Sequence, residues 1–176
     1  MTDLTALQYI SYGIYLVSSF RTSTEPGAQG RLNGQIATTV FQVSAEPPLV
    51  AVSLNCQNFT NELIKASGKF SVSVLSQETP LKFIGLFGFK CGRSVEKFSG
   101  LKYEINPSGT PKLLDHSLAH FDVEVTQTVE LGTHTLFIGQ VIDSQVLAEG
   151  IPMTYEYYHK IKGELIQQNA PSYIKP

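Results

Sequence analysis

Ser53, Asn55, Asn58 and Thr60 gather around one junction, where an apolar strand over residues 49–54 passes through a polar loop, residues 55–58, into a short amphipathic helix. Hydroxyl and amide groups in that setting suit an anion. A strand end feeding a loop and a helix N-terminus aims backbone N–H groups and the positive end of the helix dipole at one point. Asn58 suits the N-cap, Phe59 and Leu63 form an apolar i,i+4 pair, and Gly68 falls where a left-handed C-terminal cap belongs. Lys65 is the basic residue of this segment and lies too far along the helix to reach its start. A phosphate here would therefore rely on backbone N–H groups and on the four polar side chains. The same residues equally describe an ordinary capped helix after a strand, and the junction alone does not choose between the two.

Other reactive residue types are scattered. Cys91 stands between Lys90 and Arg93, whose charges would lower its thiol pKa; a plain surface thiol fits the same residues. Cys56 lies in the 55–58 loop, either as a redox group or as a small filler. His116 and His120 are four apart, but His120 enters an apparent strand and further ligands are lacking, so a metal site is not expected. No G-x-S-x-G elbow, Walker loop or G-x-G-x-x-G turn occurs.

The elements that must position these groups are mostly strands. β-Branched and aromatic runs predict strands over residues 12–20, 34–44, 49–54, 69–75, 118–131 and 133–147, with a shorter one at 102–104. Residues 21–31, with Pro26-Gly27 and Gly30, read as a loop; Pro47-Pro48 turns one strand into the next, and Gly132 joins two long strands as a hairpin. Residues 119–125 alternate apolar and polar, which gives that strand one wet face. Helices are few: residues 2–11, with Leu4, Leu7 and Ile10 at helical spacing; 58–67; and 79–87, where Pro80 suits the first helical position. Strands with short helical insertions read as a mainly β fold, a barrel carrying peripheral helices. No repeat, low-complexity tract or linker divides residues 1–176, which read as a single domain.

Composition narrows the partners. With 42% apolar and 16% charged residues the chain is globular, and at 176 residues it can bury a sizeable core. A formal charge of -2 without a basic cluster argues against nucleic acid. The 2 cysteines lack C-x-x-C spacing, which excludes a disulfide framework and a zinc or rubredoxin-type iron site. Residues 1–13 are too polar for a secretory signal and no apolar run reaches membrane-spanning length, so no membrane partner and a cytoplasmic location are expected.

The order of pieces over residues 33–76 resembles the FMN-binding split barrel of the flavin reductase and flavoredoxin family. Thr38-Thr39-Val40-Phe41-Gln42-Val43-Ser44 is similar to the strand that presents backbone amides and small polar groups to the isoalloxazine ring. The Pro-Pro turn and Val50-Ala51-Val52-Ser53 resemble the return into the phosphate loop, and Asn58-Phe59-Thr60 with Gly68-Lys69-Phe70 the helix and strand that follow. Residues 87–98, FGFKCGRSVEKF, look like the family's loop before a Lys-Phe pair. The likeness runs from about Leu7 to Tyr173, and the tail, residues 153–159 with Ala170-Pro171-Ser172-Tyr173, resembles the flavoredoxin branch, which includes reductase modules joined to rubredoxin.

That resemblance implies an FMN oxidoreductase taking electrons from NADH or NADPH, or from a reduced carrier, and passing them to a protein, iron or flavin acceptor. Thr38, Thr39, Val40 and Phe41 would meet the flavin ring; Ser53, Leu54, Asn55, Asn58, Phe59 and Thr60 would hold its tail; Lys90 and Arg93 would supply charge near a phosphate. Gly132-Thr133-His134 stands where reductases serving two-component monooxygenases carry Gly-Asp-His, which places His134 on the nicotinamide side, with Thr in place of the acid. The resemblance also implies a homodimer with each flavin near the subunit boundary, Tyr155, Tyr157, Tyr158 and His159 covering the ring or the partner, and rubredoxin or a flavodiiron protein as a separate redox partner. A split barrel that binds FMN without reacting with pyridine nucleotide is the alternative.

Overall fold

The computed structural model describes residues 2–22 and 30–162. The turn signal Pro26-Gly27 and the tail motif Ala170-Pro171-Ser172-Tyr173 lie outside the described residues. Strands dominate: β1 (Tyr15–Arg21), β2 (Arg31–Ala37), β3 (Val40–Ser44), β4 (Leu49–Asn55), β5 (Lys69–Leu75), β6 (Tyr103–Ile105), β7 (Pro111–Leu113), β8 (Ser117–Leu131) and β9 (His134–Val146). The helices are α1 (Phe59–Ser67), α2 (Leu81–Phe89) and α3 (Tyr155–Lys162), preceded by a 3-10 turn at Leu4–Tyr9.

One 7-stranded sheet runs in the order β2-β1-β5-β8-β9-β4-β3, with antiparallel pairing throughout. β2 and β3 are consecutive in the chain, parted by Thr38 and Thr39 alone, yet they stand at opposite ends of that order. The sheet must therefore curl until its two ends meet, and it closes through this covalent seam instead of a ladder. That is the split barrel. A hydrogen bond from the Ser53 N–H to the Thr39 carbonyl, 3.1 Å, ties the seam to β4.

Alternate residues point to opposite faces of each strand. Val17, Val52, Leu54, Phe70, Val72, Val123 and Phe137 fill the barrel, and Ile64 of α1 packs with them. The opposite face of β1 carries Leu16 into a second core with Phe83, Ile84 and Phe87 of α2, Phe98, Leu113, Met153 and Tyr158. Phe70, Leu16 and Leu75 are wholly buried, each contributing roughly 2 kcal/mol of transfer free energy.

The expected strand over 34–44 is two strands broken at Thr38-Thr39. The expected N-terminal helix is a 3-10 turn of 6 residues whose Leu4 and Leu7 are exposed among the described residues. α2, Leu81–Phe89, lies two residues further along than the expected 79–87, with Pro80 as its N-cap in an extended conformation instead of the first helical residue. The short strand at 102–104 is β6, which pairs with β7, and the tyrosine-rich tail forms α3; neither β7 nor α3 was anticipated. Gly132, at φ 72°, turns β8 into β9 as the hairpin reading expected.

Candidate functional site

The seam and the strand leading to it leave polar groups unpaired. Asn33 Oδ1 and Gln35 Oε1 of β2, with Thr38 Oγ1 and Thr39 Oγ1, are buried and lack hydrogen-bond partners among the described residues. A buried polar atom left unsatisfied costs on the order of 1–3 kcal/mol, so such a run within one short stretch signals a ligand that completes it. Arg31, Asn33 and Gln35 alternate along β2 and share one face. Asn33 Nδ2 donates to Thr60 Oγ1 at 2.8 Å, fastening this face of β2 to the first turn of α1.

At that first turn, Asn58 holds the N-cap position but its side chain makes no cap bond. The loop is closed instead by Asn55, whose Oδ1 accepts from the Gln57 N–H at 2.9 Å. Gly68 ends α1 at φ 68°, and its N–H donates to the Ile64 carbonyl. Glu62 lies in the first turn and accepts from Arg21 and, at 2.7 Å, from Arg93. The Arg21 hydrogen bond is the main reason its carboxyl is held below the usual range.

Three guanidinium groups converge on the ring of Phe59, the first residue of α1. The central carbons of Arg21, Arg31 and Arg93 lie 5.9, 5.4 and 4.9 Å from its centroid. They come from three elements: the end of β1, the start of β2 and the loop after α2. Arg21 and Arg31 stand directly opposite one another in the β1–β2 ladder. Arg31 is positioned by the backbone of the 90–98 loop, donating to the Gly92 and Arg93 carbonyls at 2.5 and 3.0 Å. Sequence reading found Arg93 but missed Arg21 and Arg31, which lie far from the helix in sequence; a β1–β2 pairing register was the signal that could have brought them together.

Loop 90–98 adds two unusual groups. Lys97 is buried, donates to the Gly34 and Phe87 carbonyls at 2.9 and 3.3 Å, and burial pushes its pKa down to about 8. Cys91 is exposed, and the Arg93 N–H is the chief cause of a lowered thiol pKa. Lys90 caps the C-terminal end of α2 and is exposed.

His134 pairs with Asn55, and Leu136 with Ser53, in the β4–β9 ladder, so Ser53, Asn55 and His134 share a face. His134 Nδ1 lies 2.9 Å from Thr133 Oγ1, while its Nε2 is buried and without a hydrogen-bond partner among the described residues. Leu54 points into the barrel and can reach the loop only by its backbone, whose carbonyl accepts from Asn61. Val40 and Phe41 begin β3 just past the seam, and Phe41 is exposed. Cys56 Sγ sits 3.4 Å from Thr135 Oγ1. His120 is buried against Asn106 and His116 packs on Phe83, so the two histidines serve different surroundings. Among the described residues no group of three or more His, Cys, Asp or Glu is placed to hold a metal ion, and no helix is long and apolar enough to cross a membrane.

Residues 7–163 match the flavin reductase like domain. The chain belongs to that family. It is 45% identical over 171 residues to the high molecular weight rubredoxin of Moorella thermoacetica, covering 97% of this chain and 72% of that protein. It is 40% identical over 173 residues to the ferric-chelate reductase (NAD(P)H) of Archaeoglobus fulgidus, covering 98% of each. In fold it is similar to the flavoredoxin of Methanosarcina acetivorans, with a TM-score of 0.71, 22% identity and 86% and 80% of the two chains covered. The FMN-binding protein of Thermus thermophilus superposes with a TM-score of 0.70 at 24% identity over 86% and 82% of the chains. This flavin reductase family member is accordingly an oxidoreductase working with flavin and NAD(P)H.

Proposed function

We propose that this flavin reductase holds FMN with its phosphate among Arg21, Arg31, Arg93 and the N–H groups at the start of α1, and its ring along residues 38–41. The observation that carries the reading is the unpaired strip Asn33, Gln35, Thr38, Thr39, which ends at the arginine group. Those residues fit the cofactor: donors and acceptors line the strip, and guanidinium groups recognise phosphate oxygens with fixed fork geometry. Asn55, Asn58, Thr60 and Ser53 complete the tail site, with Lys90 as a more distant charge. When bound, FMN supplies the hydride-accepting ring. The chain's own residues position it: seam amides hold the ring edge, and His134 Nε2, free of other bonds, orients the nicotinamide of NADH or NADPH.

Ferric iron is the favoured acceptor, supported by the relative named a ferric-chelate reductase at 40% identity. A separate rubredoxin, or a flavodiiron protein, is a further partner in the cytoplasm; the first is supported by the relative named a rubredoxin. The chain works as a single-domain unit in a homodimer. Phe41, Val129 and Leu131 are 50%, 40% and 55% exposed, and the ladders place them on the face of Ser53, Asn55 and His134. A second copy seated there would cover apolar surface and enclose the site together.

The test is direct. Purified protein should be yellow or bind added FMN, and anaerobic NADH or NADPH should bleach the flavin band within seconds. Flavin reduced only by dithionite would mark a carrier without pyridine nucleotide activity. Protein that ignores FMN would overturn both.

A further inference from the structure

Resting on the phosphate placement above, we propose that Glu62 is a built-in competitor for that phosphate, occupying Arg21 and Arg93 while the site is free and displaced when a phosphomonoester arrives. Glu62 spends one carboxylate oxygen on each of two arginines, Oε1 on Arg21 and Oε2 on Arg93 at 2.7 Å. A phosphate takes the same donors by the same charge-assisted geometry. Arg31 differs: its guanidinium is anchored on the Gly92 and Arg93 carbonyls, with Nε 3.5 Å from Glu96, so its place does not depend on Glu62. The three cations, drawn from separate elements onto one ring, repel one another, and the two carboxylates beside them, Glu62 and Glu96, offset only part of that charge. A net positive group therefore remains to attract a dianion. Asn33, 2% exposed, spends its side-chain donor on Thr60 of α1, so the positive charge facing the phosphate comes from the arginines.

The arginine side chains are 49% and 50% exposed and Glu62 is 44% exposed, so exchange of one anion for another needs no opening of the core. Glu62 thus sets how tightly a phosphorylated flavin is kept and leaves its unphosphorylated counterpart unaffected. FMN held loosely can be released as well as retained.

Binding of FMN and of riboflavin, followed by quenching of flavin fluorescence, separates the possibilities for the parent protein, Glu62→Gln, Arg93→Gln and Arg21→Gln. The ratio of the two affinities cancels general damage to the fold. Glu62→Gln is expected to tighten FMN about fivefold, the scale of an exposed ion pair, with riboflavin unchanged and inorganic phosphate competing better. Each arginine variant is expected to weaken FMN alone. If Glu62→Gln leaves FMN unchanged or weakens it while Arg93→Gln also weakens it, Glu62 orders the arginines and competition is refuted. If both arginine variants leave the FMN-to-riboflavin ratio untouched, the phosphate lies elsewhere and the placement falls with the proposal.

Discussion

Burial has stripped His120 of water. Asn106 Nδ2 donates to its Nε2 at 2.9 Å, so the ring proton sits on Nδ1, buried without a partner among the described residues. Burial is the main cause of a pKa pushed down to about 4, with Asp122 and Asp143 opposing and Lys112 assisting. The folded protein therefore refuses a proton that the unfolded chain accepts near 6.5. Between those two values the unfolded state binds more protons, so stability falls as pH drops from about 6.5 toward 4 and is flat above that window; the integrated loss is about 3 kcal/mol. Urea unfolding across this range should show the slope, and His120→Gln should remove it. A parallel slope in the variant would assign the effect to the carboxylates. Residues of this kind show how far a sequence can be read: His120 is visible as a histidine in an alternating strand, but not its burial beneath the β6–β7 hairpin. Likewise Lys97 and Phe98 were legible as a pair, whereas the carbonyls that hold the lysine come from Gly34 and Phe87, far apart in the chain.

At the scale of elements, local signals and closure geometry contribute differently. α1 was legible because its Phe59–Leu63 spacing and its C-terminal Gly68 act within one helix, and the structure ends it at Ser67, although the Asn58 side chain makes no cap bond. The break at Thr38-Thr39 was not: Thr, Val and Phe favour extended backbone on both sides, and barrel closure alone interrupts them. α3 was missed because tyrosines signal strand locally, while burial of Tyr158 in the outer core decides for helix. Two glycines make a contrasting test. A Cβ at Gly139 in β9 would meet Val123 Cγ1 at 2.5 Å and the Glu124 carbonyl oxygen at 2.6 Å, beside a register shift in β8. Gly139→Ala should destabilise by about 2 kcal/mol, since backbone must move. Gly85 in α2 has open space, so Gly85→Ala should stabilise by roughly 0.5–1 kcal/mol. Thermal melts of the two variants should move in opposite directions; a common direction would refute the packing account.

For the whole molecule, the mainly β barrel with peripheral helices was readable from strand count and turn residues, because those features are written locally. The arginine group was readable only in part, since two of its members meet the helix through a ladder that no spacing encodes. Assembly is likewise a property of the surface. Val129→Asp places a charge beside Leu131 on β8, on the face that also carries Phe41. Sedimentation should give a dimer for the parent and a monomer for the variant, with FMN binding weakened in the monomer. A monomeric parent that retains flavin would overturn the shared-site arrangement.

The gap between β2 and β3 has a mechanical meaning. A hoop cut at one point springs open along that cut more readily than anywhere else, and the hinge here is two threonines long. Whatever bridges the cut acts as a clasp, so loading the protein and tightening its closed shape become one event. Emptied protein would breathe at this edge first, leaving the opposite wall, where β5 meets β8, at rest.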